Sequence, residues 1–495
     1  MEVKDAALRI ARANRVGTIL WLLVAVAVCL KVMPDIVRQS FFFDGLIYAS
    51  IARNLAEGIG TVWAPQFSKA LFPVFAEHPP LMMWLQSLLF RVFGDTIVID
   101  KCFSLATFGI SLGIMALTWD RLSGSNSEMR RSLPLALVLT IVAGRFSWAF
   151  ANGMLENLLI VFTSLAVLLV VVAYDDRHSR SAIRRMSFVA LAGLATALAL
   201  MTKGPVGLFP LATPGLYWLC FQRPRLADAI VDTLLLIAVV AMVFCLLWSF
   251  EGARGTIERY VSIQLLTSLS GERGHAGGGL SALRTFIRVL AYPLVTALVI
   301  SAIGFFSRGA ASANTGRREA VRCALFLAAV GCSASLPLFV SPRVSGFYFN
   351  PSLPYFSGAL AIACAPVLLR LLDGCSERAL RWVQSMLAAV LVLSCLYVAM
   401  EMGRPGDDAD VIENAGKIAR EVCDGNKCHD LISTCGSVGQ NWRLHGYLER
   451  YYEIALDSAS AGGPDYLLAG NDCQGDLAAY RDTGVDVSPN RLLKR

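Results

Sequence analysis

The chain has 495 residues, 56% of them hydrophobic and 16% charged, with a formal net charge of +7. So large an apolar share over this length excludes a soluble globular protein and a disordered one. The positive charge does not mark nucleic-acid binding, because the basic residues sit in short loops between apolar runs, where membrane topology accounts for them.

Those apolar runs carry few or no charges and have the length that a helix needs to cross hydrocarbon. They fall near residues 17–33, 103–119, 133–150, 155–173, 187–202, 206–221, 230–250, 286–306, 321–340, 353–372 and 383–400. The fold class expected is a polytopic α-helical membrane protein with about eleven transmembrane helices. The first run reads as a signal anchor, being long and without a following small-x-small cleavage site. Arginines occupy alternate loops: Arg9, Arg12 and Arg15; Arg121, Arg130 and Arg131; Arg177, Arg180, Arg184 and Arg185; Arg223 and Arg225; Arg308, Arg317, Arg318 and Arg322; Arg378 and Arg381. All fall on one side, which predicts a cytoplasmic N-terminus and a C-terminal tail outside.

The outer segments are residues 34–101, 251–285 and 341–352, followed by the tail. In the first, Pro79 and Pro80 precede "LMMWLQSLLF", a proline-started amphipathic helix suited to the membrane interface. The second is polar and glycine-rich and is expected to be a mobile loop. The chain divides into a membrane unit, 1–402, and a soluble outer α/β unit, 403–495, in which "DVIENAGKIAREVC" and "QNWRLHGYLERYY" read as helices. "DLISTCG" and "DYLLAG" read as strands. Nine of the 13 cysteines lie in or beside apolar runs, where cysteine acts as a small hydrophobe. Cys423, Cys428, Cys435 and Cys473 lie in the tail, where one or two disulfides are expected, Cys423–Cys428 among them. No Cys/His spacing reads as a zinc site.

Polar residues gather at the outer ends of the runs: Asp44, Glu77, His78, Asn152, Glu156, Asn157, Lys203, Gln264, Arg273, His275, Arg343, Tyr348 and Asn350. Carboxylates beside cations near a bilayer suit a site that binds a phosphate and removes a proton. Each residue also has a structural reading. Asp44 could cap the helix that follows it. Glu77 and His78 could form a polar turn. Glu156 and Lys203 could be interfacial anchors or an ion pair. Gln264, Arg273 and Arg343 could be solvated loop residues.

Taken together, "FFFDGLIYASIARNLAEG", "EHPPLMMWLQSLLFRVFGD", "NGMLENLLIVF", "LALMTKGPVGLFP" and "SGFYFNPSLPY" resemble, in order, the bacterial GT-C membrane glycosyltransferases. That superfamily includes lipid A aminoarabinose transferase and the protein O-mannosyltransferases. The resemblance spans Asp44 to about Pro354 and leaves the tail without a signature. It implies an inverting glycosyltransferase that moves a sugar from a polyprenyl-phosphate donor to an envelope acceptor (lipid A, polysaccharide or protein) at the periplasmic face of the bacterial cytoplasmic membrane. Asp44 would be the catalytic base, and Glu156, where the family usually has aspartate, would orient the acceptor or help hold a metal. Lys203 would bind the donor phosphate with Arg273 and Arg343, supported by Glu77, His78, Gln264 and Tyr348. His78 stands where aminoarabinose transferases have lysine, and Asp44 lacks the adjacent acidic partner of some relatives. No cofactor is assigned, and a divalent metal ion stays open.

Two other readings belong to different classes. A flippase for lipid-linked sugars would need charges near the middle of several spans, and these runs are nearly free of them. A scaffold presenting the tail would leave the outer polar cluster unexplained.

Overall fold

The computed structural model describes residues 2–175, 181–266, 279–306, 317–341, 344–458, 464–474 and 477–495. Among these, nine helical segments are long and apolar enough to cross a membrane by length and composition. Two backbone breaks account for the difference from eleven. The expected spans at 187–202 and 206–221 lie in one helical segment, Ala182–Phe221. Within it a 3-10 stretch, Gly204–Ala212, begins just after Lys203 and carries Pro205 and Pro210, which cannot donate to an α-helical ladder. The expected span at 133–150 is two short helices, Leu133–Val142 and Phe146–Ala151. Gly144 adopts φ 38° in the break, and Val289 leaves no room for a side chain there.

Outside the spans, the helix Phe43–Glu57 is buried continuously from Gly45 to Leu55 and ends on the left-handed Gly58. The helix Leu81–Phe93 follows Pro80 as expected, burying Met82 and Met83 while Leu88, Val92 and Phe93 stay exposed. The second outer segment is not a simple loop: helix Glu251–Arg259 runs into a π-helix, Tyr260–Leu266, and helix returns at Gly279. The stretch read as mobile lies mainly at 267–278, outside the described residues.

The tail folds into helices Ala409–Cys423 and Trp442–Tyr452 on a five-stranded sheet. Its strands are β1 (Leu431–Cys435), β2 (Ala455–Asp457), β3 (Tyr466–Ala469), β4 (Arg481–Val487) and β5 (Asn490–Lys494), in the order β2-β1-β3-β5-β4. β2, β1 and β3 are parallel, and β5 pairs antiparallel with both β3 and β4. The disulfides are Cys423–Cys428 and Cys435–Cys473; the second ties the end of β1 to the turn after β3.

Two buried arginines join this sheet unit to the membrane unit, and each is fully paired, the condition under which burying a charge is tolerated. Arg53, 1% exposed, bonds the Glu449 carbonyl at 2.8 Å and its carboxylate at 3.0 Å. Arg450, 2% exposed, reaches back to Asp95 at 2.7 Å and Asp100 at 2.9 Å.

Candidate active site

The centre of the site is an ion pair between Lys203 and Glu156. Glu156 is in the first turn of helix Leu155–Ala173 and Lys203 in the last turn of helix Ala182–Lys203. Each charge therefore sits at the helix end whose dipole favours it, and antiparallel packing brings the two together. Glu156 is 1% exposed; its Oε1 takes the lysine, while Oε2 is buried and accepts no hydrogen bond among the described residues. The Lys203 ammonium also lies 4.6 Å from the Tyr348 ring centroid and 5.6 Å from that of Phe347.

Asp44 lies in the first turn of Phe43–Glu57. The Phe42 amide donates to Asn152 Oδ1 at 2.7 Å, and Gly45 packs so closely on the Asn152 carbonyl and the Phe41 ring that a Cβ would collide with both. One turn along, buried Tyr48 shows how the two sides meet. Burial first, and then the nearby charges of Asp44, Glu156 and Glu77, hold its phenol well above the usual tyrosine range; Tyr348 adds to them. The His78 ring lies 6.0 Å from that of Tyr48.

The structure thus gathers Asp44, Glu77, His78, Glu156, Lys203 and Tyr348 around one buried tyrosine. Gln264 stands four residues beyond Tyr260, whose hydroxyl packs on Gly204, itself held at φ 73°, so its helix lies over the Lys203 turn. Arg273, His275 and Arg343 lie outside the described residues. Sequence reasoning missed Tyr48, although an aromatic four residues after Asp44 shares its helix face. It also missed the aromatic wall of Phe42, Trp148 and Phe347, with centroids 4.9–6.3 Å apart, and Arg145 beside it.

A three-carboxylate group able to hold a metal ion lies elsewhere, at the seam between the two units: Glu57, Asp95 and Glu453. Lys427 pairs with Asp95 and, at 3.0 Å, with Glu453, so a cation already sits among these carboxylates.

A polytopic helical unit, with its polar residues gathered at one end and a mixed-sheet unit packed on that end, is the GT-C fold of membrane glycosyltransferases. Residues 77–248 match the family model described as dolichyl-phosphate-mannose-protein mannosyltransferase. ArnT from Cupriavidus metallidurans in the apo state superposes with a TM-score of 0.62 at 15% identity, covering 96% of this chain and 97% of that one. The same protein bound to undecaprenyl phosphate gives 0.60 at 15% identity, with the same coverage. The oligosaccharyltransferase AglB from Archaeoglobus fulgidus, in complex with an inhibitory peptide and a dolichol-phosphate, gives 0.51 at 12% identity, covering 91% of this chain and 69% of that one. No curated protein matches the chain by sequence.

Proposed function

We propose that this protein is an inverting glycosyltransferase that moves a sugar from an undecaprenyl-phosphate-type donor to an envelope acceptor at the periplasmic face of a bacterial inner membrane. The observation that carries the reading is the Lys203–Glu156 ion pair, with the charges of Glu156 and Asp44 both acting on the buried Tyr48 phenol. Undecaprenyl phosphate bound to one structural neighbour and dolichol-phosphate bound to another support the donor class.

Asp44 takes the proton of the acceptor hydroxyl as its oxygen attacks the anomeric carbon. The bond from that carbon to the phosphate oxygen breaks on the opposite face, and the polyprenyl phosphate leaves with the electron pair. A phosphate leaves without a general acid but needs its charge balanced, and Lys203 supplies that. Arg273 and Arg343 share the task, and Glu77, His78, Gln264 and Tyr348 support the loops around it. Glu156, with one oxygen on Lys203 and the other open, accepts from the acceptor hydroxyl or contributes to a divalent metal site.

The test is transfer by the purified chain in lipid from a panel of undecaprenyl-phosphate sugars to envelope acceptors. Sugar transfer with release of undecaprenyl phosphate, lost in folded Asp44→Asn, supports the reading. Flipping of the same lipids across vesicles without transfer would replace it with transport.

A further inference from the structure

Lys101 is a buried cation that the reaction above does not use. It is 7% exposed and lies near the start of helix Ile97–Ser123. The carboxylates beside it are engaged elsewhere. Asp100 takes Arg450 at 2.9 Å and Gln86 at 3.1 Å, and the Asp35 carboxylate turns to Arg38 at 3.3 Å. A buried charge without a carboxylate partner is costly, and an apolar side chain of the same length would carry no such cost. The ammonium must therefore be offset by what it holds.

What it holds is the chain that leads into Asp44. An ammonium has three donors, and each finds a backbone carbonyl on a different piece of chain. These are Asp35 at 2.8 Å, Ser40 at 2.9 Å and Ala151 at 3.4 Å. Asp35 lies in the short helix Met33–Val37, and Ala151 closes the helix Phe146–Ala151. Carbonyls at such helix ends have no partner in their own helix, and the helix dipole there favours a cation. Ser40 lies in the link from the first of these helices to Phe43–Glu57. The ammonium also stands 4.2 Å over the Phe41 ring. That ring packs on Gly45, next to Asp44, and on Gly153, so closely that a Cβ at either would collide with it. The amides that follow Ser40 are fixed as well: Phe41 donates to the Tyr447 hydroxyl and Phe42 to Asn152 Oδ1. One charge thus gathers two helix ends, the link between Val37 and Phe43, and the ring against which the first turn of the Asp44 helix is seated.

We propose that Lys101 is a positioning residue for Asp44, its ammonium acting as an internal cation around which the chain from Asp35 to Phe41 is wrapped. This rests on the reading of Asp44 as the base and names a residue which that reading does not use.

The test pairs amide hydrogen exchange with transfer kinetics on the full chain in nanodiscs. In Lys101→Met, exchange from Phe41 to Leu46 is expected to quicken by about ten- to a hundredfold, the size of one hydrogen-bonded charge. The kcat should fall by a similar factor, with KM for the undecaprenyl-phosphate sugar unchanged. Lys101→Arg keeps the charge and the donors and should restore both. Lys31→Met, at an exposed lysine that ends the first helix, should change neither. Lys101→Gln removes the charge and keeps a donor, and carries the same expectation where Lys101→Met fails to fold. Unchanged exchange in a folded Lys101→Met or Lys101→Gln overturns the assignment. Faster exchange with kcat unchanged overturns it too, as does a loss of donor binding as large as the loss of kcat. Faster exchange at Phe41 to Leu46, in a chain whose wild type transfers no sugar from any donor, upholds the hold of Lys101 on this segment and removes the transferase reading alone.

Discussion

Lys203 and Glu156 tie the last turn of one membrane helix to the first turn of the helix before it, and Glu156 is almost fully buried there. Removing one partner of a buried pair strands the other charge, at a cost of about 3–5 kcal/mol. Lys203→Met and Glu156→Gln are each expected to lower thermal stability in detergent. The double variant should recover most of that stability and none of the transfer, which separates holding the helices from handling the phosphate. Recovery of transfer in the double variant would reduce the pair to a structural tie.

Asp44→Asn keeps the shape of the side chain and removes the proposed base. Turnover should fall by about 10²–10⁴-fold, the usual contribution of a positioned general base, with undecaprenyl-phosphate binding intact. Gly45→Ala should produce a loss of similar direction for a different reason. Its Cβ meets the Asn152 carbonyl, so the helix must back away and take Asp44 with it. Equal transfer by wild type and Gly45→Ala would show that the helix position is not critical.

The segment that delivers Asp44 is held from the C-terminal sheet unit. Tyr447, fully buried, accepts from the Phe41 amide at 2.9 Å, and its own hydroxyl lies 2.9 Å from Asp408 Oδ2, the acceptor for its proton. Tyr447→Phe leaves the packing and removes the acceptor, an unsatisfied amide worth about 1–3 kcal/mol. Faster hydrogen exchange at Phe41 to Asp44 and a fall in kcat of about tenfold, without loss of donor binding, are expected. Tyr452→Phe, on the same helix, should change neither.

Stability of the C-terminal sheet unit should depend on pH through His445. Burial holds its imidazole below the ordinary histidine range, against the opposing pull of its 2.9 Å contact with the Gly439 carbonyl. The unfolded chain then takes up a proton that the folded one refuses. Its contribution is therefore intact above about pH 6.5 and is lost as the pH falls below that value. Glu449 works the other way: burial lifts its carboxyl to about 7, against the pull of Arg53, so its contribution is lost as the pH rises through that value. Melting wild type and His445→Gln at pH 7.5 and 5.5 isolates the histidine. The wild type should lose more stability on acidification, and equal losses would remove His445 from the account.

Much of the membrane unit was legible because charge-free apolar runs have one use at that length. The helices of the tail and two of its strands, β1 and β3, were legible from periodicity, while β2 is too short to show a pattern. The β4–β5 hairpin, "RDTGVDVSPNRLLK", carries too many charges to read as strand. Asp44, Glu156 and Lys203 were legible as types near span ends, but their meeting was not. The 47 positions that separate Glu156 from Lys203 are closed by the pairing of two antiparallel helices, which no local spacing encodes. The break at Ala143–Arg145 was hidden by the very rule that found the spans. A window wide enough to see a membrane helix averages over one arginine and cannot see the three-residue break beside it.

The contact between Arg38 and Glu401, at 2.8 Å, joins residues 363 positions apart, and Tyr447 lies 406 positions from the Phe41 amide it receives. The first membrane helix thus exits the ribosome long before the groups that fix the segment after it. Closing contacts of such separation comes late in folding. A growing chain therefore holds its aspartate loosely until its last helix and sheet are made. A chain stopped before its last helix and sheet would reach the membrane with the segment that carries Asp44 not yet fastened.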